Sequence, residues 1–319
     1  MSAPAPVPAP PGARRYQLTH RTEYRYDEDV QTSYGRAHLV PRHGEGQHRL
    51  EYTLDTEPGP VELSEHADFF GNRSVYFVVR EPHRELTVTC RSLIDVHRPE
   101  VDRDALRDVR ARVVRDRLAD RADLDPDLLD ARPFLLPSPM IGRAPEVAAF
   151  ATDLMRPGRS LDEVLVDLLE RIGEFAYVTG VTTVSTPLAE VLARRAGVCQ
   201  DFAHLGVAAL RAAGLAARYV SGYLETRPPP GRARLVGADA SHAWVSVFAP
   251  GLGWVDLDPT NHQFVDESYV VAAIGRDYGD VPPLRGVIFT ESKQSTMQVF
   301  VDMEPVPVAP AGVDSPLAG

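Results

Sequence analysis

The chain has 319 residues, 44% hydrophobic and 25% charged, with a formal net charge of −11 at pH 7. That length allows two domains, each burying a core of its own. The acidic balance argues against nucleic acid or an anionic membrane surface as partner, because phosphate recognition needs concentrated cations.

The first 14 residues are rich in Pro and Ala and read as a loose tail. They lack the basic start and apolar run of a signal peptide. No later stretch approaches the roughly 18 to 20 apolar residues needed to cross a bilayer. A cytoplasmic location with no membrane partner is therefore expected. From Arg15 the pattern becomes short alternating runs: Tyr16 to His20, Arg36 to Val40, His48 to Leu54, Ser74 to Val79 and Leu86 to Val96. Turn-rich pieces separate them, notably Glu57-Pro58-Gly59-Pro60 and Asp68-Phe69-Phe70-Gly71-Asn72. This punctuation predicts an antiparallel β domain, sandwich-like or barrel-like, over residues 15–98.

Composition then changes. Asp102 to Leu124 is highly charged and carries Leu106, Val109, Val113, Val114 and Leu118 at helical spacing. Helices are expected from Pro145 to Met155, from Ser160 to about Phe175, from Pro187 to about Arg195, and from Cys199 to the stop at Gly214. Ser160 and Glu163 have the spacing of a capping box. In the Cys199 helix, Phe202, Ala203, Leu205, Gly206, Ala209 and Leu210 form the apolar positions. Strand patterns follow at Arg218 to Leu224, Ala243 to Phe248 and Gly253 to Leu257, with a Pro/Gly/Arg loop at 226–237. The second unit, residues 99–302, reads as helices followed by an antiparallel sheet, which makes the whole an α+β protein. Residues 303–319 read as a second Pro/Ala-rich tail.

Three segments carry chemistry. Cys199 opens a helix, which sets the positive end of the helix dipole and free backbone N–H groups beside its sulfur. Gly197 is expected to let the backbone turn tightly into that helix. His242 lies in one strand and Asp258 in the next, joined by the turn Ala249 to Gly253. With an even pairing sum the two share a face, opposite or diagonal, within about 7–8 Å between Cα atoms. Asp256 has the same parity, and pairing alone leaves the choice open. Cysteine is among the most buried residue types, so Cys199 by itself is equally well a packing residue. Its ordered partners favour a thiolate nucleophile, its general base and an orienting carboxylate. His204 is expected to face another side of the helix, and Cys90 to point into the β domain. The two cysteines are far apart and have no metal-type spacing, and a lone thiol in this context suits a reducing compartment.

Four blocks in this order resemble the transglutaminase-like superfamily of papain-type thiol enzymes: Gly197 to His204, Arg218 to Tyr223, Ser241 to Val245, and Gly253-Trp254 through Asp258-Pro259-Thr260-Asn261. The first half is similar to the β domain that precedes this core in bacterial members, through His20-Arg21-Thr22 with Tyr24 and Tyr26, Leu39 to Arg42, Asp68 to Asn72, and Pro82-His83. The resemblance covers about residues 15–290. It implies a papain-like core with Cys199 as nucleophile, His242 as base and Asp258, the residue before Pro259, as the orienting carboxylate. It places the oxyanion beside the backbone N–H of Cys199, with a side chain near Tyr177 second.

The implied activity is acyl transfer at an amide or peptide bond through a Cys199 thioester. Water as acceptor makes a protease or amidase, and an amine makes a crosslinker. Gln200, Tyr177, Arg218, Tyr223 and Trp244 are expected to contact a protein or peptide substrate, with the arginines of the 226–237 loop steering an acidic one. No metal or other cofactor is required. The rival reading is a peptide- or protein-binding module that keeps the fold without turnover. A redox-sensing thiol ranks behind both, since no resolving cysteine is near.

Overall fold

The computed structural model describes residues 12–44, 46–226 and 240–307. The first unit is one curled antiparallel sheet of four long rows. Its central row is β1 (Arg14–Ala37), 24 residues without a break. The runs at Tyr16 and Arg36 are therefore parts of one strand. No Pro and no Gly interrupts 15–34, and the bend is absorbed by a register shift between Val30 and Thr32. The other strands of the first half are β2 (Gln47–Glu57), β3 (Glu62–Ala67), β4 (Arg73–Val79) and β5 (His83–Val96). On one side, β4 and β5 together follow β1 from Ala37↔Val75 to Arg14↔Val96. β2 and β3 form the row outside them.

The fourth row comes from the far end of the chain. Leu284–Thr290 and Ser295–Val306, β13 and β14 in chain order, pair with β1 from Ala37↔Leu284 to Arg15↔Val306. This moves the expected boundaries. The first unit is not closed within residues 15–98, the second does not run to 302, and residues 303–306 are strand, with Met303 fully buried. Pro305 fits there because an edge strand can spare its N–H. Arg14, expected in the first tail, opens β1; residues 1–11 and 308–319 of the expected tails, and positions 227–237 of the Pro/Gly/Arg loop, lie outside the described residues.

The helical spacing over 102–124 belongs to two helices, α1 (Arg103–Asp108) and α2 (Ala111–Ala119). Val109 and Arg110 between them are extended, since Leu161 N–H donates to Val109 O (2.7 Å) and Ala111 N–H to Arg159 O (3.2 Å). Leu106, Val114 and Leu118 are buried, whereas Val113 faces solvent. α3 (Pro126–Ala131) and α4 (Pro145–Ala151) lead to α5 (Leu161–Gly173). The Ser160–Glu163 capping box is formed: Ser160 Oγ accepts from Glu163 N–H (3.2 Å), and Ser160 N–H donates to Glu163 Oε2 (2.7 Å). Two short parallel strands, β6 (Ala176–Tyr177) and β7 (Ala196–Gly197), flank α6 (Leu188–Arg194) and lead into α7 (Cys199–Ala212).

The core sheet contains β8 (Ala217–Leu224), β9 (Ala240–Ala249), β10 (Gly253–Asp258), β11 (Gln263–Phe264) and β12 (Tyr269–Gly275), in the order β11-β10-β9-β8-β12. The apolar positions read in α7 are all buried, and all but Gly206 lie in one cluster with Ala217, Val245 and Val247 of the sheet. Gly206 permits the close approach of α7, as a Cβ there would lie 2.8 Å from Val245 Cγ2. A second cluster joins the two units: Tyr16, Leu18, Ile94 and Val96 of the first sheet pack with Tyr223, Val270 and Ala272 of the core. Burial of this apolar surface favours a fixed arrangement of the two sheets. No helix among the described residues is long and apolar enough to cross a membrane.

Candidate active site

The geometry at Cys199 begins with its helix. Val198, the N-cap, is extended, and its side chain cannot satisfy the first N–H groups. Asp201 does so: its Oδ2 accepts from Val198 N–H (2.9 Å) and from Thr182 Oγ1–H (2.7 Å). Gly197 serves this contact. Its φ is not positive, so the expected tight turn is not its reason; a Cβ at 197 would stand 2.7 Å from Asp201 Oδ2. Both cysteines are free thiols, and Cys199 is half-buried.

His242 is on β9, across from Gly222 of β8. The β9–β10 ladder pairs Asp256 with Ser246 and Leu257 with Val245. Continued by one residue, that register sets Asp258 across from Trp244 and diagonal to His242. His242 donates Nε2–H to Asp258 Oδ2 at 2.7 Å. The Cys199 thiol is near enough to the ring to raise its pKa, and with Nε2 engaged by Asp258, Nδ1 is the nitrogen left to serve the sulfur. Burial pushes the imidazole toward neutrality, but the hydrogen bonds and charges of Asp258 and Cys199 outweigh it, raising its pKa to about 10.

Asp258 is fully buried and receives five hydrogen bonds. His242 Nε2, Asn261 Nδ2 and Tyr269 OH, each at 2.7 Å, donate to Oδ2. The backbone N–H groups of Thr260 (2.9 Å) and Asn261 (3.3 Å) donate to Oδ1. Burial favours the protonated acid, yet these donors, His242 foremost, hold the carboxyl below the ordinary carboxylate range. The parity ambiguity resolves as well. Asp256 is turned to Arg98 Nη1 (2.9 Å) and the Trp244 indole N–H (3.3 Å), so it is no partner of His242.

The remaining expected contacts divide. Tyr177 is 55% exposed, on the strand beside Gly197, and both burial and the nearby Cys199 raise its phenol pKa. Gln200 is part of the same rim, where its Nε2–H reaches Val184 O (3.3 Å). Arg218 instead stacks on Trp254 (4.1 Å) in a cavity of about 740 Å³ between the units. Tyr223 and Trp244 are buried and offer no substrate surface. The Tyr223 hydroxyl donates to Leu39 O (3.3 Å). Trp244 stacks beside His242, with ring centroids 6.3 Å apart.

His204 faces away from the site, as expected. It accepts from Tyr278 N–H (3.0 Å), and burial lowers its pKa to about 4. Cys90 is buried in the first sheet, where desolvation raises its thiol to about 12. Asp201, Gln263 and Tyr269 were not singled out by sequence reasoning. Asp201 and Asn261 stand inside the quoted motifs and were within reach of it, whereas nothing local marks Tyr269. Among the described residues no group of three or more His, Cys, Asp or Glu side chains is arranged to hold a metal. Chemically, a thiol beside an imidazole whose other nitrogen is held by a buried carboxylate can pass its proton to the ring.

Residues 148–259 match the model of the transglutaminase-like superfamily, and residues 16–95 that of the bacterial transglutaminase-like N-terminal region. Over 315 residues the chain is 47% identical to an uncharacterized protein of Mycobacterium tuberculosis, spanning 96% of this chain and 98% of that one. A stretch of 130 residues is 35% identical to a protein-glutamine gamma-glutamyltransferase of Pseudomonas aeruginosa, covering 38% of this chain and 19% of that protein. The crystal structure of a candidate cysteine protease from Cytophaga hutchinsonii has the same fold, with a TM-score of 0.70 at 21% identity over 92% of this chain and 98% of that one.

Proposed function

Because this chain belongs to the transglutaminase-like superfamily, we propose that it catalyses thiol-dependent acyl transfer at an amide or peptide bond of a protein or peptide. The observation that carries this reading is the position of His242, bonded at 2.7 Å to a fully buried Asp258 and near enough to the half-buried Cys199 thiol for that thiol to raise its pKa.

The proton of Cys199 passes to His242, and the sulfur attacks the carbonyl carbon. The tetrahedral oxyanion forms beside the N–H of Cys199, which has no intrahelical acceptor because it is the first residue of α7. Tyr177 on the neighbouring strand is the second candidate donor. As the C–N bond breaks, the departing nitrogen takes the proton from His242, and a thioester remains. His242 then removes a proton from water or an amine, which attacks the thioester and restores the thiol. Throughout, Asp258 keeps Nε2 engaged and Nδ1 directed to the sulfur, and it stabilises the imidazolium.

The acceptor distinguishes a protease or amidase from a crosslinker. An assay with a glutamine-containing protein and a labelled primary amine reads both, through ammonia release, peptide cleavage and amine incorporation. The reading expects at least one of these signals, with none in Cys199→Ala. Signals equal in the two proteins, or absent from the wild type over a broad panel of proteins and peptides, would count against it and favour a binding module.

A further inference from the structure

β12 is the outer strand of the core sheet and is bonded on one side to β8. Two side-chain amides of the first unit, Gln47 on β2 and Asn72 in the β3–β4 turn, meet its other side. Gln47 donates Nε2–H to Val271 O (2.8 Å) and accepts Val271 N–H at Oε1 (2.8 Å). Asn72 donates Nδ2–H to Ile274 O (2.8 Å) and accepts Ile274 N–H at Oδ1 (2.9 Å). Each amide therefore completes one residue of the edge as a neighbouring strand would. Both are buried and are themselves braced. Gln47 also donates to Arg42 O (2.8 Å), and Asn72 is held by Arg42 Nη1 (2.6 Å) and Asp68 Oδ2 (2.9 Å).

The first residue of this braced strand is Tyr269. Its hydroxyl donates to Asp258 Oδ2 (2.7 Å) and accepts from Gln263 Nε2–H (2.9 Å). Its ring is 5.4 Å from that of Trp244 and 6.1 Å from that of His242. β12 and β10 are separated by two strands, so this hydroxyl ties the outer strand directly to the carboxylate behind the histidine.

We propose that Tyr269 is a positioning residue for Cys199, His242 and Asp258, and that the first sheet, through Gln47 and Asn72, fixes the strand that carries it. The proposal rests on the acyl-transfer reading above. It makes the first unit part of the catalytic assembly instead of a separate docking module. An edge strand without its bracing opens more readily, and an Asp258 without the Tyr269 hydroxyl keeps one side-chain donor besides His242 on Oδ2, so it orients Nε2 less firmly. Among the described residues, the titratable groups that act on the His242–Asp258 pair are Cys199 from α7 and Tyr269 from β12. Asp256, on the same face of β10, is turned to Arg98 and Trp244.

The test is the rate of Cys199 alkylation by iodoacetamide against pH, in the full chain, resolved from Cys90 by mass spectrometry. Tyr269→Phe keeps the ring and removes only the hydroxyl. Gln47→Ala/Asn72→Ala removes both braces. The expected result is an acid limb displaced to higher pH in each, with neutral-pH reactivity down about tenfold. Combining all three substitutions should add little, since they act through one element. With a turned-over substrate, kcat should fall while KM changes less than about twofold.

A wild-type acid limb well below pH 8.5 that Tyr269→Phe leaves in place would overturn the proposal while sparing the acyl-transfer reading. A wild-type profile following an ordinary thiol near pH 8.5 would overturn both. If the double variant fails to fold, the two single variants carry that arm, and profiles identical to the wild type in both would refute the bracing role.

Discussion

The indole of Trp244 lies over Gly222 on the adjoining strand: a Cβ on Gly222 would stand 2.5 Å from the ring and 2.1 Å from Val270 O. No side chain fits between a sheet backbone and a fully buried tryptophan at those distances. Gly222→Ala should therefore cost about 1–3 kcal/mol or more in unfolding free energy. It should also slow Cys199 alkylation, because the displaced ring is the one stacked beside His242. Urea unfolding with alkylation on the same variant checks both, and a stable variant of normal reactivity would contradict the account.

The buried pair predicts a pH dependence of stability. His242 has a folded-state pKa of about 10, above its unfolded value of about 6.5. Its contribution is fully present below about pH 6.5 and is lost as the pH rises toward 10. Asp258 is shifted down, so its contribution is present above its unfolded value of about 3.9 and is lost in acid. The stability gap between wild type and His242→Gln should be widest near pH 5–6 and should close toward pH 10. A gap that does not vary with pH would contradict the charged pair.

Asp258→Asn retains the size of the side chain but exchanges one acceptor for a donor, directed at a site where three donors already converge. Asn therefore reverses the preferred tautomer of His242. Turnover should drop by about 10³-fold or more, the scale seen when a triad carboxylate becomes an amide. Steady-state kinetics on whichever amide substrate the wild type accepts measures this; a loss under tenfold would remove Asp258 from the mechanism.

Removing residues 284–319 would strip β13 and β14 from β1 and open the inter-unit cluster that includes Val301 and Met303. The truncated chain should be aggregated or rapidly proteolysed, since a long strand edge and buried apolar surface become exposed together. Circular dichroism and limited trypsin digestion read the outcome. A soluble, protease-resistant product would show that the first sheet stands without its fourth row.

The sequence by itself determined the local and periodic features. The Ser160–Glu163 cap, the apolar face of α7, the β9–β10 hairpin and the shared face of His242 and Asp258 all follow from interactions within a few residues or across one tight turn. The choice of Asp258 over Asp256 was legible only through resemblance, because parity allows both. Tertiary structure alone decided the rest. It joined residues 284–306 to a strand beginning at Arg14, split one helical pattern by bonding Val109 to Leu161 and Ala111 to Arg159, buried Tyr223 and Trp244, and brought Tyr269 across two strands to Asp258. Each of these depends on a backbone or hydroxyl group finding its partner far along the chain, and neither composition nor periodicity records where such a partner will be.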